Sequence, residues 1–216
     1  MDPQTLRSQT SGGIAINYLF PVPMFRFQVP VDSLIPLDRR IFELTQQQPS
    51  GGGHSSVFTH DDLHEQEPFK AWFAEHLHDR VGEILDELRI VRDEHYLTSA
   101  WGNMTWGEFY HPAHMHPNAF LSGIVYLRSP EGAGSTVFED PKLIARIVEP
   151  DISEHTLANT RSFAKTPITG DVLVFPSYLK HSVRPGNAGD ELRSTLAFNY
   201  HIRGETCRHT QPYVWG

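Results

Sequence analysis

The fold class is decided by one stretch of the chain, Gly170-Asp171-Val172-Leu173-Val174-Phe175-Pro176. A glycine suited to a turn precedes an apolar run, and a proline closes it. A short apolar run between two turn signals predicts a buried β-strand rather than a helix, which needs more residues. Proline ends the strand because it lacks the N–H that a sheet ladder uses. We therefore predict a strand inside a sheet over Asp171 to Phe175.

Similar short segments lie on both sides of this stretch. Each is rich in β-branched and aromatic residues and is bounded by Gly, Pro, Asn or Asp, which is typical of a sandwich or barrel. The predicted strands are Thr98 to Tyr110, Ser122 to Leu127, Ser135 to Glu139, Arg161 to Pro167 and Arg193 to Ile202. We predict a mainly β fold, a double-stranded β-helix or jelly roll, in this part of the chain.

The N-terminal part is predicted to supply a strand and helices that pack on the outside of the jelly roll. Ile14 to Val29 is predicted to be extended, because its prolines exclude a helix, and Leu37 to Gln48 is predicted to be helical. Between Pro68 and Leu88 apolar residues recur every three or four positions, which predicts one amphipathic helix. His76 and His78 then lie on its solvated face.

Composition restricts the classes of function. The formal net charge is -8 and no cluster of Lys and Arg interrupts it, which disfavours nucleic-acid binding. We expect a small-molecule or peptide substrate. The composition is also compatible with a homodimer. The chain carries a single cysteine, Cys207, and no apolar run long enough for a membrane span, and its N-terminus lacks a signal-peptide pattern. We expect a cytoplasmic protein.

The length of 216 residues fits one domain. Within residues 1–216 we expect an N-terminal strand and helices over 14–95 and a jelly-roll catalytic core over 96–205. No internal repeat or linker divides the chain.

Three histidines are predicted to bind one metal ion, because histidine is the commonest metal ligand in proteins. His114 and His116 are two residues apart, so both rings lie on one face of an extended chain. His181 follows the predicted strand at Asp171 to Phe175, and closure of a barrel brings such distant segments together. Three protein ligands leave positions open for chemistry. His111 faces the opposite way in a regular strand, and we expect it to support the ligands.

Four motifs then follow one another between Trp101 and Tyr200. They are His114-x-His116-Pro-Asn, Leu121-Ser122-Gly123-Ile124-Val125-Tyr126-Leu127, Phe175-Pro176-Ser177-x-Leu179-x-His181-Ser182-Val183 and Arg193-Ser194-Thr195-x-x-Phe198-Asn199. In this order they resemble the 2-oxoglutarate/Fe(II) oxygenases of bacteria and phages. The resemblance implies a double-stranded β-helix, an Fe(II) centre at the three histidines and 2-oxoglutarate as co-substrate.

The chain departs from the wider superfamily at the second ligand. Most such enzymes carry His-x-Asp or His-x-Glu as the first pair, and here His116 stands at the carboxylate's position. A third neutral imidazole leaves the site more positive than a carboxylate does. Two other ligands stay open at this point: the amide of Asn118, which binds iron poorly, and the carboxylate of Asp140, whose ordinary interpretation is an exposed turn residue.

The far carboxylate of 2-oxoglutarate needs a cation, and an arginine fork suits a carboxylate. On a strand from Arg193 to Ile202, Arg193 and Thr195 share a face, and they match the family's Arg-x-Ser pair with threonine in place of serine. Asn199 lies on the same face. Further candidates for hydrogen bonds to the co-substrate or substrate are Asn103, Tyr110, Ser122 and Tyr126, although such positions more often pack a barrel.

Three functions therefore compete. The leading hypothesis is an Fe(II)- and 2-oxoglutarate-dependent dioxygenase, which releases succinate and usually hydroxylates its substrate. The first alternative is a three-histidine cupin-type metalloenzyme that does not use 2-oxoglutarate, and the second is a non-catalytic jelly-roll ligand binder. Arg193 distinguishes the dioxygenase from the cupin-type enzyme, because only the dioxygenase needs an arginine to bind 2-oxoglutarate.

Overall fold

The computed structural model describes residues 9–11, 14–16, 18, 20–45, 53–142, 150–206 and 213–215. The predicted helix end at 46–48 and Cys207 lie outside the described residues. The α-helices are α1 Ile35–Thr45, α2 Phe69–His76 and α3 His78–Glu87, and short 3-10 helices cover Val31–Leu34 and Leu63–Glu65. The strands are β1 Gln9–Ser11, β2 Ile14–Ile16, β3 Phe25–Gln28, β4 Gly53–Ser55, β5 Glu94–Thr105, β6 His111–His114, β7 Leu121–Arg128, β8 Thr136–Glu139, β9 Ser162–Lys165, β10 Asp171–Pro176, β11 His181–Val183, β12 Arg193–Thr206 and β13 Tyr213–Trp215.

Two antiparallel sheets make up the body of the protein. The larger sheet has the order β3-β10-β7-β12-β5-β4, with β13 paired to β12, and the smaller has the order β6-β11-β8-β9. Strand β10 lies between β3 and β7, so neighbours in the sheet are remote in sequence, as in a jelly roll. Strands β1 and β2 form a separate hairpin. The predicted mainly β jelly roll is confirmed.

The inner faces of the two sheets share a small apolar core. Its members alternate along their strands and are Ile124 and Tyr126 of β7, Leu173 and Phe175 of β10, Phe138 of β8, and Leu179. The rings of Phe138 and Phe175 meet edge to face at 4.9 Å, one from each sheet. This contact holds the sheets together beside the position of His181, whose ring centroid is 5.0 Å from that of Phe175.

The outer face of the larger sheet carries the main core, and the helices cover it. On β12 the outward residues are Leu196, Phe198 and Tyr200, all buried. The helices contribute Leu37, Ile41, Phe69, Phe73, Val81 and Leu85 to the same core. Burial of each such side chain stabilises the fold by roughly 1.5–3 kcal/mol relative to exposure. The helices therefore pack outside the jelly roll, as expected.

The helix prediction for Pro68 to Leu88 was wrong in one respect, because two helices occupy this span. The chain leaves helical geometry at Leu77, whose φ is -121°, so that α2 ends and α3 begins on either side of this buried residue. The two histidines that flank the break are not simply solvated. His76 packs against Trp72, and the exposed ring of His78 stacks on His95 with centroids 4.2 Å apart.

Among the described helices, none combines the length and apolarity that a membrane crossing requires.

Gly123 lies where the outer face of β7 meets the aromatic core. A Cβ added at this position would lie 2.1 Å from Cζ of Phe198 and 2.6 Å from the backbone oxygen of Leu173. The ring could rotate away only into a packed core, and the carbonyl belongs to the neighbouring strand. The position therefore requires glycine for close approach of two strands and a ring.

We expect Gly123→Ala to lower the free energy of unfolding by about 1–3 kcal/mol through overpacking. Urea unfolding followed by circular dichroism measures this change. Gly107→Asn is the control, because Gly107 has open space around it at a φ of +60°, a conformation that asparagine tolerates. Equal stability of the alanine variant and the native protein would contradict the packing argument.

Asp171 closes the jelly roll at the end of β10 that lies away from His181. Its buried carboxylate meets Nζ of Lys165 on β9 at 2.8 Å and Nε of Arg26 on β3 at 3.1 Å. The ion pair with Lys165 joins the two sheets. Burial alone would raise the pKa of Asp171, but hydrogen bonds from Lys165 and Gln28 and the two positive charges outweigh it, so the pKa is lowered.

A lowered carboxyl pKa makes the contribution of Asp171 to stability depend on pH. The contribution is present above the unfolded-state pKa of about 3.9 and is lost as the pH falls through the lower folded-state value. We expect the difference in unfolding free energy between the native protein and Asp171→Asn to be full at about pH 6 and to shrink below about pH 4. Urea unfolding of both proteins across this range measures the difference. A difference that does not change with pH would contradict the ion-pair argument.

Candidate metal centre

Three histidines, two in the smaller sheet and one just after its strand β6, converge at one end of the jelly roll. His114 ends β6, His116 follows it, and His181 begins β11 directly opposite His114. One nitrogen from each ring lies within 4.8 Å of the other two. The ring centroids of His181 lie 4.4 Å from His114 and 5.0 Å from His116. Strand pairing thus brings together the three histidines that the sequence predicted as a trio.

Each of the three rings uses its Nδ1 atom in a hydrogen bond to an oxygen. Nδ1 of His114 lies 2.9 Å from the carbonyl oxygen of Pro112, and Nδ1 of His181 lies 2.9 Å from that of Leu179. Nδ1 of His116 lies 2.7 Å from Oδ1 of Asn199. Carbonyl oxygens only accept, so each Nδ1 donates its hydrogen and each neutral ring keeps a lone pair on Nε2.

The Nε2 lone pairs suit a metal ion. Nε2 of His116 is buried and has no hydrogen-bond partner among the described residues. Burial lowers the pKa of all three rings, in the case of His181 to about 3, and the neighbouring imidazoles lower it further. The rings are therefore neutral at physiological pH. Three neutral imidazoles whose other nitrogen is already bonded fit a first-row divalent metal and leave coordination positions open.

The histidines lie in a cavity of about 530 Å³ between the two sheets. The inward residues of β12 also line it, namely Arg193, Thr195, Ala197 and Asn199. They follow one another at every second position, as the alternation of a strand requires. Apolar and aromatic residues also line the cavity, among them Val57, Phe58, Trp101, Phe109 and Met115, and so does the acidic Asp61.

Arg193 is a buried cation without an acidic partner among the described residues. Only 5% of its surface is exposed, and its Nε has no hydrogen-bond partner there. Its guanidinium lies 5.5 Å from the centroid of the Tyr126 ring and 3.5 Å from Oγ1 of Thr136. Burial lowers its pKa, although an arginine side chain stays charged in proteins. A buried charge is costly unless it is paired, so this part of the cavity suits an anion.

The structure places the other predicted residues in different ways. Thr195, Asn103 and His111 line the cavity, and the ring of His111 lies 4.4 Å from that of His114, outside the metal-binding trio. Ser122 is buried behind the cavity wall, where its hydroxyl donates to Asn199. Asn199 itself lines the cavity, but its Oδ1 is already bonded to His116.

Tyr110 is not brought to the cavity. It lies between β5 and β6 with 61% of its surface exposed, because β5 ends at Thr105 rather than at Tyr110 and the alternation of the strand is lost before this residue. The two other ligands considered, Asn118 and Asp140, are absent from the lining of the cavity. Asn118 lies in a turn with a φ of 63°. Both alternatives to His116 are therefore disfavoured.

Sequence reasoning missed two residues of the site. Thr136 is fully buried and accepts a hydrogen bond of 2.7 Å from the hydroxyl of Tyr126 as well as the contact with Arg193. The sequence could have indicated this residue, because Thr136 lies two positions before Phe138 on a predicted strand. Both side chains therefore lie on the same, inner face. Trp101 has its ring 5.3 Å from that of His116. Its position two residues before Asn103 on β5 could have indicated this.

Residues 99–199 match the sequence model of the family described as "Putative 2OG-Fe(II) oxygenase". No curated protein matches the sequence. The matched segment contains all three histidines and Arg193, and the family uses Fe(II) and 2-oxoglutarate.

Solved structures share the fold at low identity. The epimerase SnoN from nogalamycin biosynthesis is 13% identical with a TM-score of 0.60, covering 84% of this chain and 77% of that chain. HygX from Streptomyces hygroscopicus, with nickel, 2-oxoglutarate and hygromycin B bound, is 17% identical with a TM-score of 0.55, covering 84% and 83%. A Pseudomonas putida prolyl-4-hydroxylase is 15% identical with a TM-score of 0.56, covering 85% and 94%. At these identities the likeness shows a shared fold.

We expect the native protein to bind one Co(II) ion, used as a stand-in for Fe(II), and His181→Ala to lose this binding. The loss should exceed the roughly 10–100-fold that removal of an outer partner of a ligand costs. His111→Ala is the matched control, since its ring touches His114 but lies outside the trio. Isothermal titration calorimetry of the three proteins measures both affinity and stoichiometry. Equal losses in the two variants would show that the trio is wrongly assigned.

Proposed function

We propose that this chain, whose residues 99–199 match the model of the 2OG-Fe(II) oxygenase family, is an Fe(II)- and 2-oxoglutarate-dependent dioxygenase that hydroxylates a small molecule or peptide. The family supplies the class of enzyme and its cofactors. The proposal adds the assignment of the individual residues and the type of reaction.

The unpaired Arg193 is the observation that carries the proposal. It lies buried in the same cavity as the three histidines, and nothing acidic among the described residues pairs with it. 2-Oxoglutarate has a keto acid group suited to chelating a metal and a second carboxylate at its other end. We assign the second carboxylate to Arg193 and the hydroxyl of Thr195, because an arginine fork bonds a carboxylate at two points.

Other residues prepare this anion site. The contacts of Arg193 with the ring of Tyr126 and the hydroxyl of Thr136 limit where its guanidinium can move. Tyr126 is in turn held by its own hydrogen bond to Thr136. Groups held in place before a ligand arrives lose less conformational entropy when it binds. We therefore assign Tyr126 and Thr136 the role of orienting Arg193 rather than of binding the co-substrate.

The metal site is assigned to His114, His116 and His181. Fe(II) held there would supply the redox chemistry by which oxygen and 2-oxoglutarate are converted to succinate and carbon dioxide. The three histidines would hold the metal through Nε2 and would leave its other coordination positions open.

The side chains that line the cavity support an inference about the substrate. Several of them are aromatic or apolar, and among the described lining residues Asp61 is the only acidic one and Arg193 the only lysine or arginine. We infer that the oxidised group sits in an apolar part of the substrate. A neighbouring hydrogen-bond donor or positive charge on the substrate would complement Asp61.

A three-histidine cupin-type enzyme is the weaker candidate, because it gives a buried and unpaired Arg193 no function. A ligand binder without a metal likewise leaves the three Nε2 atoms without a role. Both alternatives remain outcomes of the test that follows.

We expect the native protein with Fe(II), ascorbate and oxygen to release succinate from 2-oxoglutarate, and Arg193→Ala to lower kcat/KM for 2-oxoglutarate by roughly 30-fold or more. This follows from about 2–5 kcal/mol for breaking a buried charge pair. Arg193→Lys keeps the charge without the fork, so we expect an intermediate value.

Arg184→Ala is the matched control, because Arg184 is exposed and does not line the cavity. Succinate is quantified by NMR over a range of 2-oxoglutarate concentrations. The proposal fails if the native protein neither binds 2-oxoglutarate nor converts it to succinate. If conversion occurs but Arg193→Ala matches the native protein, the assignment of the anion site is wrong.

A further inference from the structure

The three candidate ligands differ in what holds them. Nδ1 of His114 and of His181 donates to a backbone carbonyl, that of Pro112 and of Leu179 respectively. Nδ1 of His116 donates instead to a side chain, the amide oxygen of Asn199, at 2.7 Å. His116 is also the histidine at the position where most such enzymes carry a carboxylate. Its orientation therefore depends on a residue that a substitution can change.

Asn199 has the hydrogen-bond partners that fix its amide. Its Oδ1 accepts from Oγ of Ser122 at 2.7 Å as well as from His116, and its Nδ2 donates to Oγ of Ser99 at 3.0 Å. Ser122 lies in turn 3.0 Å from Oγ of Ser177. With these contacts both lone pairs of the amide oxygen are occupied, and the oxygen faces the ring of His116.

The backbone brings these residues into one row. Asn199 pairs with Ser122 of β7 on one side and with Ser99 of β5 on the other. The register between β12 and β5 shifts immediately after Asn199, between this residue and Tyr200. Such irregularities re-aim side chains and are frequent beside active sites. The row of small polar groups crosses three strands of the larger sheet and ends at His116.

We propose that Asn199 is a positioning residue that holds His116 in the tautomer with hydrogen on Nδ1 and a lone pair on Nε2. A neutral imidazole carries its hydrogen on one nitrogen only, and a hydrogen on Nε2 would point into the metal site. A carboxylate at this position would need no such partner, because both of its oxygens accept. The amide of Asn199 is what lets an imidazole take the carboxylate's place.

This inference rests on the proposed function only in naming a metal as the ligand of Nε2. The tautomer of His116 is a property of the protein without metal. It can therefore be measured separately from metal binding and from turnover.

The test compares Asn199→Leu with Asn199→Asp. Both side chains approximate the shape of asparagine, but only aspartate keeps an acceptor for Nδ1 of His116. We expect Asn199→Leu to bind Co(II) roughly 10–100-fold more weakly than the native protein, the usual cost of losing such a partner. We expect Asn199→Asp to bind it at least as tightly as the native protein. Titration calorimetry gives the affinities, and thermal unfolding shows whether each variant is folded.

A second measurement reports the tautomer directly. Two-bond ¹⁵N–¹H correlation spectra of the metal-free protein distinguish hydrogen on Nδ1 from hydrogen on Nε2. We expect the Nδ1–H form of His116 in the native protein and in Asn199→Asp, and a mixture of both forms in Asn199→Leu. If the leucine variant does not fold, Asn199→Ala removes the same acceptor and takes its place.

The outcomes separate the two proposals. Equal Co(II) affinity and unchanged spectra in the leucine variant would overturn the role of Asn199. Equal weakening by leucine and aspartate would also overturn it, because shape rather than the acceptor would then matter. A native protein that binds no Co(II) but shows the expected tautomers would refute the proposed function and leave the role of Asn199 supported.

Discussion

Strand β12 carries the two-residue alternation on which the rest of the structure depends. Its outward residues Leu196, Phe198 and Tyr200 enter the core under the helices. Its inward residues from Arg193 to Asn199 line the cavity. A shift of the register by one residue would exchange the two sets and bury the polar groups in the aromatic core. The same hydrophobic burial that stabilises the protein therefore sets the direction of the site residues, and β12 pairs with both β5 and β7 to hold that register.

The two ends of the jelly roll differ in a way that explains where the cavity lies. At one end, the ion pair between Asp171 and Lys165 joins the sheets. At the other end, the sheets separate around the histidines, and the short edge strand β4 forms part of the wall. The ring of Phe109 lies over Gly53 of β4, within 2.6–2.9 Å of where a Cβ would be. A glycine at this edge thus lets an aromatic ring narrow the mouth of the cavity.

The sequence predicted those features that follow from local periodicity. The strand at Asp171, the alternation on β12 and the spacing of His114 and His116 depend on two-residue repeats, and the structure has all of them. Features that depend on contacts between distant segments were not accessible in this way. The helix break at Leu77 arises where two helices pack on one sheet, and a helical repeat cannot show it.

The roles of polar residues were harder still to infer. The alternation along a strand predicts the face of the sheet on which a side chain lies, but not the group with which it forms a hydrogen bond. Ser122 and Asn199 were expected to contact the co-substrate, since both are polar and inward. Their hydrogen bonds instead connect them to each other and to His116. Tyr110 was assigned to a strand that ends five residues earlier, at Thr105. Thr136 was overlooked because its importance depends on Arg193, 57 residues away.

The charges of the cavity connect the metal site to the anion site. Three neutral imidazoles bring no negative charge to a divalent metal, and Arg193 adds a further positive charge that is buried in the same cavity. Two cations in a space of low dielectric repel each other. Without an anion between them, the charge of Arg193 therefore weakens metal binding, and both charges remain uncompensated. A dicarboxylate that reaches both removes this cost at both ends. In a site with one protein carboxylate, part of that compensation is built in. In the proposed function the co-substrate has to supply it, and the affinities for metal and 2-oxoglutarate should consequently be more strongly coupled than in a site that has its own carboxylate.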